Sequence, residues 1–404
     1  MDCRTGRSVS GRWYSLCICV LDKIETRKEK RMWNRNFNLL LTANFFLYTA
    51  VYMLFPVLHR WMVGEGGYTN LQAGGTIAIF GISLYIFGVF NNYLVDTFKR
   101  KAVCTRSILL LALVGLIYPY SPGIGTIVAL RVLQGALFGV VLMSMGSTLV
   151  IDVTPTHCRN RANLTFTWSG VLGMLCGIWG GYSLGDFLSF QHELYLFAIL
   201  CVIPILLVSM VEVCFRAPLD LPLMSFDRFL LFRTLLPGLN MMVVPFILGV
   251  VFSTIFDSFF YICAMTGFVV FLLLDRMFRS QANGRFLNAA GLVLMGVALL
   301  MLYLSDGRDS LWGAGFLLGL GMGLSLLQFL RMMIYLPQHC ERGTGYHTYQ
   351  LLWESGVMLG VVLGKYVEDS MKRQYLLALL VCMVGLLVYQ VAIHRYFVRR
   401  MRNR

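Results

Sequence analysis

The chain has 404 residues, of which 58% are hydrophobic and only 13% are charged, and its mean hydropathy is +0.70. Because an ordinary soluble domain carries about a quarter charged residues, this composition excludes a soluble globular protein and predicts one embedded in a lipid bilayer. The net charge of +14 is spread over short polar stretches rather than gathered with aromatic residues on one face, so no nucleic-acid partner is expected.

The first segment, residues 1–31, differs in kind from the rest of the chain. It holds one short apolar patch, Trp13 to Leu21, followed by a run of charges. The stretch MWNRNFNLLLTANFF from Met32 has the form of a short polar start before a first membrane span. We expect translation to begin at Met32 and residues 1–31 to be a start-site artefact. The alternative is a basic cytoplasmic arm that contacts anionic lipid.

Apolar runs of the roughly 20 residues that span hydrocarbon as an α-helix recur from there onward. They predict twelve transmembrane helices near residues 37–60, 71–95, 103–121, 124–150, 163–186, 192–214, 236–256, 257–274, 286–304, 311–335, 346–366 and 374–396. These runs are apolar on every face, whereas the strands of a membrane barrel would alternate. The predicted fold class is therefore an all-α membrane protein.

Basic residues predict the orientation of these spans. Beyond residue 35, nineteen of the twenty-five Lys and Arg residues lie on one side of the predicted membrane, five lie on the other, and Arg131 lies within a span. Because basic loops stay in the cytoplasm, we expect both termini there. The expected location is the cell membrane, which is the inner membrane if the source is a Gram-negative bacterium.

An acidic residue followed one helical turn later by arginine occurs twice, after the second and the eighth span. The two pairs are separated by 179 residues: Asp96 with Arg100, and Asp275 with Arg279. Such a repeat indicates internal duplication. We expect two six-helix bundles, residues 32–215 and 236–404, joined by a cytoplasmic linker at 216–235.

Two rows of glycines at four-residue spacing support the same duplication, one in span 5 and one in span 11. They consist of Gly173, Gly177 and Gly181, and of Gly356, Gly360 and Gly364. Each row places its glycines on one helix face, where a neighbouring backbone can approach closely. We predict helix-packing seams, which are either static or slide during a conformational cycle.

Neither catalysis nor a cofactor is expected from the motifs. The phosphate-binding pattern G-x-x-x-x-G-K-[ST] is missing, none of the six histidines lies deep in a predicted span, and the eleven cysteines occur singly. We therefore predict no enzyme, no metal site, no cofactor and no direct use of ATP.

Several of these stretches resemble the Major Facilitator Superfamily. NNYLVDTFKRK is similar to the signature between its second and third helices, FLLLDRMFRS to the weaker copy between helices 8 and 9, and ALRVLQGALFG to its fourth-helix motif. The resemblance, over about residues 33–404, implies a monomeric secondary transporter in which Asp96, Arg100, Asp275 and Arg279 latch the two halves. The sequence departs from the family pattern in two places. Asn92 and Lys99 stand where the signature has glycines, and the span-5 stretch CGIWGGY lacks the proline that is usual in drug antiporters of the family.

Glu354 is the one acidic residue deep in a predicted span. If span 11 begins near Tyr346, Glu354 lies roughly 12 Å inside a hydrocarbon layer about 30 Å thick. An ionisable residue at that depth is a functional candidate, and we predict that Glu354 takes up and releases protons. A permanently protonated Glu354 that bonds a neighbouring span is the alternative.

Arg131 is the matching cation in span 4. The resemblance implies that it serves proton coupling or contacts an anionic substrate; alternatively it only bonds backbone carbonyls of span 1. The resemblance also implies a central cavity, for which the polar or aromatic candidates are Asn44, Tyr48, Tyr52, Gln134, Trp168, Asn240 and Gln328.

The predicted function is secondary active transport of a small solute by alternating access. Proton-coupled export of a metabolite or drug-like compound is favoured, because the first-half motifs resemble the efflux members of the superfamily most. A proton-coupled importer of a sugar or organic anion is the first alternative. A non-transporting membrane receptor on the same fold is the second. The expected partners are the small-molecule substrate, protons and the lipid bilayer.

Overall fold

The computed structural model describes residues 32–121, 123–185, 187–213, 222–226, 228–278, 284–304, 307–338, 341–366 and 371–402. Throughout these ranges the regular secondary structure is helical and no strand occurs. Three parts of the sequence prediction lie outside the described residues. They are the N-terminal extension 1–31, Arg279, and residues 216–221 and 227 of the predicted linker.

Twelve long helical segments can be followed through the described ranges. In the first half they are α1 (Arg35–Gly64), α2 (Asn70–Thr97), α3 (Arg100–Leu116), α4 (Ile124–Val153), α5 (Arg159–Ser183) and α6 (Phe190–Ser209). In the second half they are α7 (Phe232–Met241 with Val243–Thr254), α8 (Ser258–Phe278), α9 (Gly284–Leu304), α10 (Arg308–Tyr335), α11 (Arg342–Tyr366) and α12 (Met371–Arg402).

Eight of these segments are long and apolar enough to cross a membrane, counted over the described residues, and α7 makes nine if its two helices form one span. The other three are α3, which has only 17 residues, and the glycine-bearing helices α5 and α11. The prediction of an all-α multi-pass membrane protein is confirmed, and the predicted spans match the helices to within a few residues.

Local sequence explains where the helices begin and bend. The Asn34 side chain accepts a hydrogen bond from the Phe37 backbone N–H and so caps the start of α1. The two parts of α7 meet at a bend of 42°. Pro245 lies just after this bend and has no backbone N–H to donate to the carbonyl of Met241, four residues earlier, which weakens the helix there.

The two glycine rows lie where two helix pairs pack with their backbones in close contact. A Cβ atom on Gly173 would lie 2.3 Å from the Phe45 carbonyl oxygen of α1, and a Cβ on Gly360 would lie 2.1 Å from the Phe246 carbonyl oxygen of α7. The pairs α1–α5 and α7–α11 therefore depend on residues without side chains. The first seam lies within the first half of the molecule and the second seam within the second half.

Contacts between the halves repeat the same symmetry. The helix α2 packs against α11 and α5 packs against α8, so the second and fifth helices of each half meet their counterparts. The α4 segment Leu142–Leu149 also touches α11. Residues placed on the inner faces of α1, α5 and α11 consequently meet at the centre of the molecule.

Candidate functional site

Glu354 lies at the centre of the interface between the halves. Its side chain is 0% exposed, and its Oε2 accepts a hydrogen bond of 2.7 Å from the hydroxyl of Tyr52. Because Tyr52 belongs to α1 and Glu354 to α11, this bond joins the first half to the second. The other carboxyl oxygen, Oε1, has no hydrogen-bond partner in the part of the chain that the structure describes.

Aromatic rings surround this hydrogen bond. The ring of Tyr52 stacks on Tyr48 and on Phe55, with centroid distances of 6.0 and 4.9 Å, and meets Phe252 of α7 edge-on at 6.4 Å. These rings shield the carboxyl group from water on the α1 side. A charged carboxylate in such a setting would lack both solvent and a compensating cation.

Arg131 of α4 is equally buried, at 0% exposure. Its Nη1 donates to Gln134 Oε1 at 3.1 Å, and Tyr118 donates to the same oxygen at 2.6 Å. Its Nε and Nη2 have no partner among the described residues. Its guanidinium lies over the rings of Phe55 and Phe80, 4.6 and 4.5 Å from their centroids, where cation–π attraction replaces part of the lost hydration.

Arg131 and Glu354 do not form an ion pair. The guanidinium contacts the ring of Phe55, Phe55 stacks on Tyr52, and Tyr52 bonds the carboxyl group, so two aromatic rings separate the charged groups. Nor does Arg131 donate to backbone carbonyls of α1 in the described contacts, since its one hydrogen bond goes to Gln134.

Two small cavities flank the Tyr52–Glu354 bond. One, of about 10 Å³, lies towards the end of the bundle at which α1 begins and α12 ends, called here the terminal end; it is lined by Asn44, Tyr48, Thr167, Gly170, Val171, Tyr346, Tyr349, Gln350 and Trp353. The second, of about 20 Å³, lies towards the opposite end and is lined by Phe55, Pro56, His59, Ile77, Tyr182, Phe252, Ser253, Val361 and Lys365. Each has room for about one water molecule, so the centre is occluded as far as the described residues line it.

The predicted cavity residues separate into two groups. Tyr48, Tyr52 and Asn44 lie at the centre, although Asn44 also ties α1 to α5 by donating to the Phe166 carbonyl and Ser169 Oγ, both at 2.9 Å. Gln134 supports Arg131, and Trp168 packs edge-on against Phe271 of α8.

Asn240 and Gln328 lie away from the centre. Asn240 donates to the Gly385 carbonyl of α12 at 3.1 Å and lines a groove on the outer surface. Gln328 lies against Gly284 at the start of α9. The structure therefore does not bring these two residues to the other predicted cavity residues.

Several central residues were absent from the sequence prediction. Gln350, Tyr346 and Tyr349 line the cavity next to Tyr48 and precede Glu354 on α11 by four, eight and five residues. Helical spacing from Glu354 is the signal that would have found them. His347, which was not expected deep in a span, is fully buried and lies 3.2 Å from the amide of Asn91 of α2.

Charged residues join the halves at the terminal end. Arg100 pairs with Asp96 at 2.5 Å and with Asp152 of α4 at 2.7 Å, so its ion pairs stay inside the first half. The contact that leaves the first half is made by Asp96, whose second oxygen lies 2.9 Å from Arg228 in the segment before α7. In the second half Asp275 lies 3.9 Å from Arg331, and its predicted partner Arg279 is outside the described residues.

Both ends of the interface are closed by contacts between the halves. At the level of Glu354 the Tyr85 OH lies 2.9 Å from Ser355 Oγ, and nearer the terminal end Thr167 Oγ1 lies 2.8 Å from Tyr346 OH. Towards the opposite end Tyr182 of α5 donates to the Phe252 carbonyl at 2.6 Å. No group of three His, Cys, Asp or Glu side chains placed to hold a metal ion occurs within the described ranges.

Comparison with known proteins bears on the fold and the family. The sequence model of the Major Facilitator Superfamily matches residues 40–361, and no curated protein matches the sequence. Among 302 solved chains with a similar structure is a mutant of the nucleoside transporter NupG, with a TM-score of 0.66 and 13% identity over 88% of this chain and 99% of that one. At that identity the likeness concerns the fold alone.

Proposed function

This chain belongs to the Major Facilitator Superfamily, and we propose that it is a proton-coupled secondary transporter that exports a metabolite or drug-like solute. In this proposal the two halves rock about the central site, and Glu354 carries the proton. The chain lies in the cell membrane as a monomer, with both termini in the cytoplasm. The terminal end of the bundle is then the cytoplasmic end.

The observation that carries the proposal is the hydrogen bond between Glu354 and Tyr52 across the two halves. Glu354 and Glu193 are the most deeply buried Asp or Glu residues among the described ones, and Glu193 pairs with Arg60 near the opposite end. Glu354 has no such cation. A carboxylate buried without a counter-charge is expensive in a membrane, so the occluded state favours the protonated carboxylic acid.

This arrangement links protonation to the position of the halves. In the occluded state the neutral carboxylic acid accepts from Tyr52 and needs no water. When the halves separate at one end, the bond to Tyr52 breaks and water reaches the carboxyl group, which can then release its proton. Return to the occluded state requires either reprotonation or a solute group that compensates the charge, and this requirement couples proton movement to solute movement.

The resemblance of the first-half motifs to efflux members supports the outward direction. The second candidate, import of a sugar or organic anion, is favoured by Arg131, because two nitrogen atoms of its buried guanidinium lack a partner in the described structure and could bind an anionic group. A non-transporting receptor would use neither charged group. It would keep its activity in a variant that carries both Glu354→Gln and Arg131→Ala.

The test is proton release from acidified everted vesicles that contain the protein, reported by a pH-sensitive dye. Pools of metabolites, nucleosides and drug-like compounds are added, with the Glu354→Gln variant measured in parallel. We expect a dye response to one pool that is lost in the variant. Proton-driven uptake in right-side-out vesicles instead would support the importer, and no Glu354-dependent response in either orientation would refute proton coupling.

A further inference from the structure

A groove runs along the membrane-facing surface between α7 and α12, far from the central site. Its volume is about 400 Å³, and apart from Asn240 and Gly385 its walls are aliphatic: Leu236, Leu239, Val243, Leu380, Val381, Val384, Val388 and Ile393. Val384 is 58% exposed within the groove. Hydrocarbon is the only environment in the bilayer that suits such a surface.

Beyond the groove, towards the terminal end, the last turns of α12 line a basic cleft. This cleft, of about 500 Å³, is lined by Val391, Ala392, Arg395, Tyr396, Arg399 and Arg400. The three arginines are exposed, and none of them forms an ion pair with a carboxylate in the described ranges. Tyr396 is fixed by a 3.0 Å hydrogen bond to the Arg233 carbonyl, and the Arg400 guanidinium lies 5.6 Å from the centroid of its ring.

The dimensions of groove and cleft match those of one leaflet. The nine-residue step from Val384 to Ile393 covers about 14 Å along a helix, and half of a hydrocarbon layer about 30 Å thick is about 15 Å. Val384 lies within one residue of the midpoint of the predicted span 374–396, so the next turns of α12, which carry the arginines, reach the level of the lipid headgroups. An acyl chain and a phosphate of a single lipid would meet the aliphatic walls and the guanidinium groups at the same time.

We propose that the groove and the cleft together bind one anionic phospholipid. An acyl chain lies between α7 and α12, and the phosphate accepts hydrogen bonds from Arg395, Arg399 and Arg400. The arginines select an anionic headgroup, because a headgroup with a quaternary ammonium would place a positive charge beside three others. The lipid would hold α12 against α7.

The experiment titrates purified full-length protein with phosphatidylglycerol or phosphatidylcholine of the same acyl chains and counts bound lipid by native mass spectrometry. Arg395→Gln, Arg399→Gln and Arg400→Gln are combined in one variant. A control variant, with Arg35→Gln, Arg106→Gln and Arg276→Gln, removes the same charge from exposed sites on other helices. Val384→Trp fills the groove. Leu387→Trp is its control, because Leu387 lies on α12 outside the groove and is 63% exposed.

We expect one phosphatidylglycerol to bind more tightly than phosphatidylcholine. Each basic residue near an anionic surface contributes about fivefold in affinity, so the cleft variant should bind phosphatidylglycerol at least about tenfold more weakly than the control variant. Val384→Trp should weaken binding and Leu387→Trp should not. Equal affinity in the two arginine variants, or equal affinity in the two tryptophan variants, would overturn the proposal.

Discussion

Glu354 and Tyr52 come from different halves of the chain, so a change at either residue acts on both protonation and conformation. In Glu354→Gln the amide keeps the shape of the side chain and can still accept from Tyr52, but it cannot release a proton. We expect solute exchange across the membrane without a gradient to continue in this variant, while flux driven by a pH gradient is lost. Radiolabelled counterflow and gradient-driven flux in proteoliposomes measure the two separately.

The matched control for Glu354→Gln is Glu65→Gln, which removes an exposed carboxylate beyond α1. This variant should keep both counterflow and gradient-driven flux. If Glu354→Gln retained an unchanged pH dependence of flux, Glu354 would be a structural hydrogen-bonding group and the coupling role would have to be abandoned.

For Arg131 we predict different effects on stability and on flux, because it is a buried cation without a buried anion beside it. Removing one member of a buried ion pair destabilises a protein strongly, but Arg131→Gln breaks no such pair. We expect the loss of its hydrogen bond to Gln134 and of its ring contacts to lower stability by about 1–2 kcal/mol, while flux falls at least about tenfold. A large loss of thermal stability with normal flux per folded molecule would instead indicate a purely structural residue.

For single residues, the sequence identified the two buried ionisable side chains but not the residues that contact them. Glu354 and Arg131 stand out because ionisable residues are rare within apolar runs. Tyr52 was a candidate for its aromatic ring alone, since its bond to Glu354 joins residues 302 positions apart. Asn240 and Gln328 were expected at the centre because they are polar residues of spans that line the cavity implied by the resemblance. Polarity does not specify which neighbouring helix they face, and they face α12 and α9.

The packing of α5 on α1 provides a test at the scale of the helix. A Cβ on Gly177 would lie 2.5 Å from the Thr49 carbonyl oxygen, whereas a Cβ on Gly180, one turn along the same helix, would meet no atom within 4 Å. Gly177→Ala should therefore destabilise the protein by about 1–3 kcal/mol through overpacking. Gly180→Ala should be neutral or slightly stabilising.

Thermal unfolding of the two glycine variants in detergent measures the difference directly. A shared response, whether both variants unfold at the wild-type temperature or both unfold early, would mean that the α1–α5 seam does not depend on close backbone contact. The four-residue glycine spacing predicted such a seam, but only the coordinates identify α1 and α7 as the facing helices.

The ion pairs at the terminal end bear on the rate of the transport cycle. Asp96 bonds both Arg100 and Arg228, and only the second of these contacts leaves the first half. We propose that Asp96→Asn and Arg228→Gln each slow the transport cycle by weakening one closed state, without changing which solutes compete for transport. Initial transport rates, and the set of solutes that compete for transport, are compared between each variant and the wild type. A variant with a normal rate but a changed set of competing solutes would contradict a latch. The sequence predicted Asp96 but paired it only with Arg100.

For the whole molecule, the contact between α5 and α8 permits a test of rocking. Cys176 Sγ lies 3.4 Å from Met265 Sδ in the other half, so Met265→Cys places two thiols close together across the interface. A short thiol-reactive crosslinker should abolish flux in this variant, while wild-type protein, which keeps Cys176 and its other cysteines, stays active. Full activity with the crosslink verified by peptide mass spectrometry would exclude rocking at this interface.

Most of the architecture followed from the sequence, because a bilayer allows few solutions for a backbone that must satisfy its own hydrogen bonds. The spans were legible in the apolar pattern, and the duplication was legible in the spacing of the acid–arginine pairs and of the glycine rows. The conformational state was not, because closure at both ends depends on contacts such as Thr167 with Tyr346 and Tyr182 with Phe252, which join residues remote in the chain.

The central claim is that Glu354 gains and loses a proton inside the helical bundle, and infrared difference spectroscopy tests it without knowledge of the substrate. Spectra of the purified protein in lipid are recorded as the pH is raised from about 5 to about 9, a range that lies above the pKa of ordinary carboxyl groups and covers the values that buried ones reach. The account predicts a carbonyl band of a protonated carboxylic acid that disappears with rising pH and is missing in Glu354→Gln. A spectrum identical in wild type and variant across that range would contradict it.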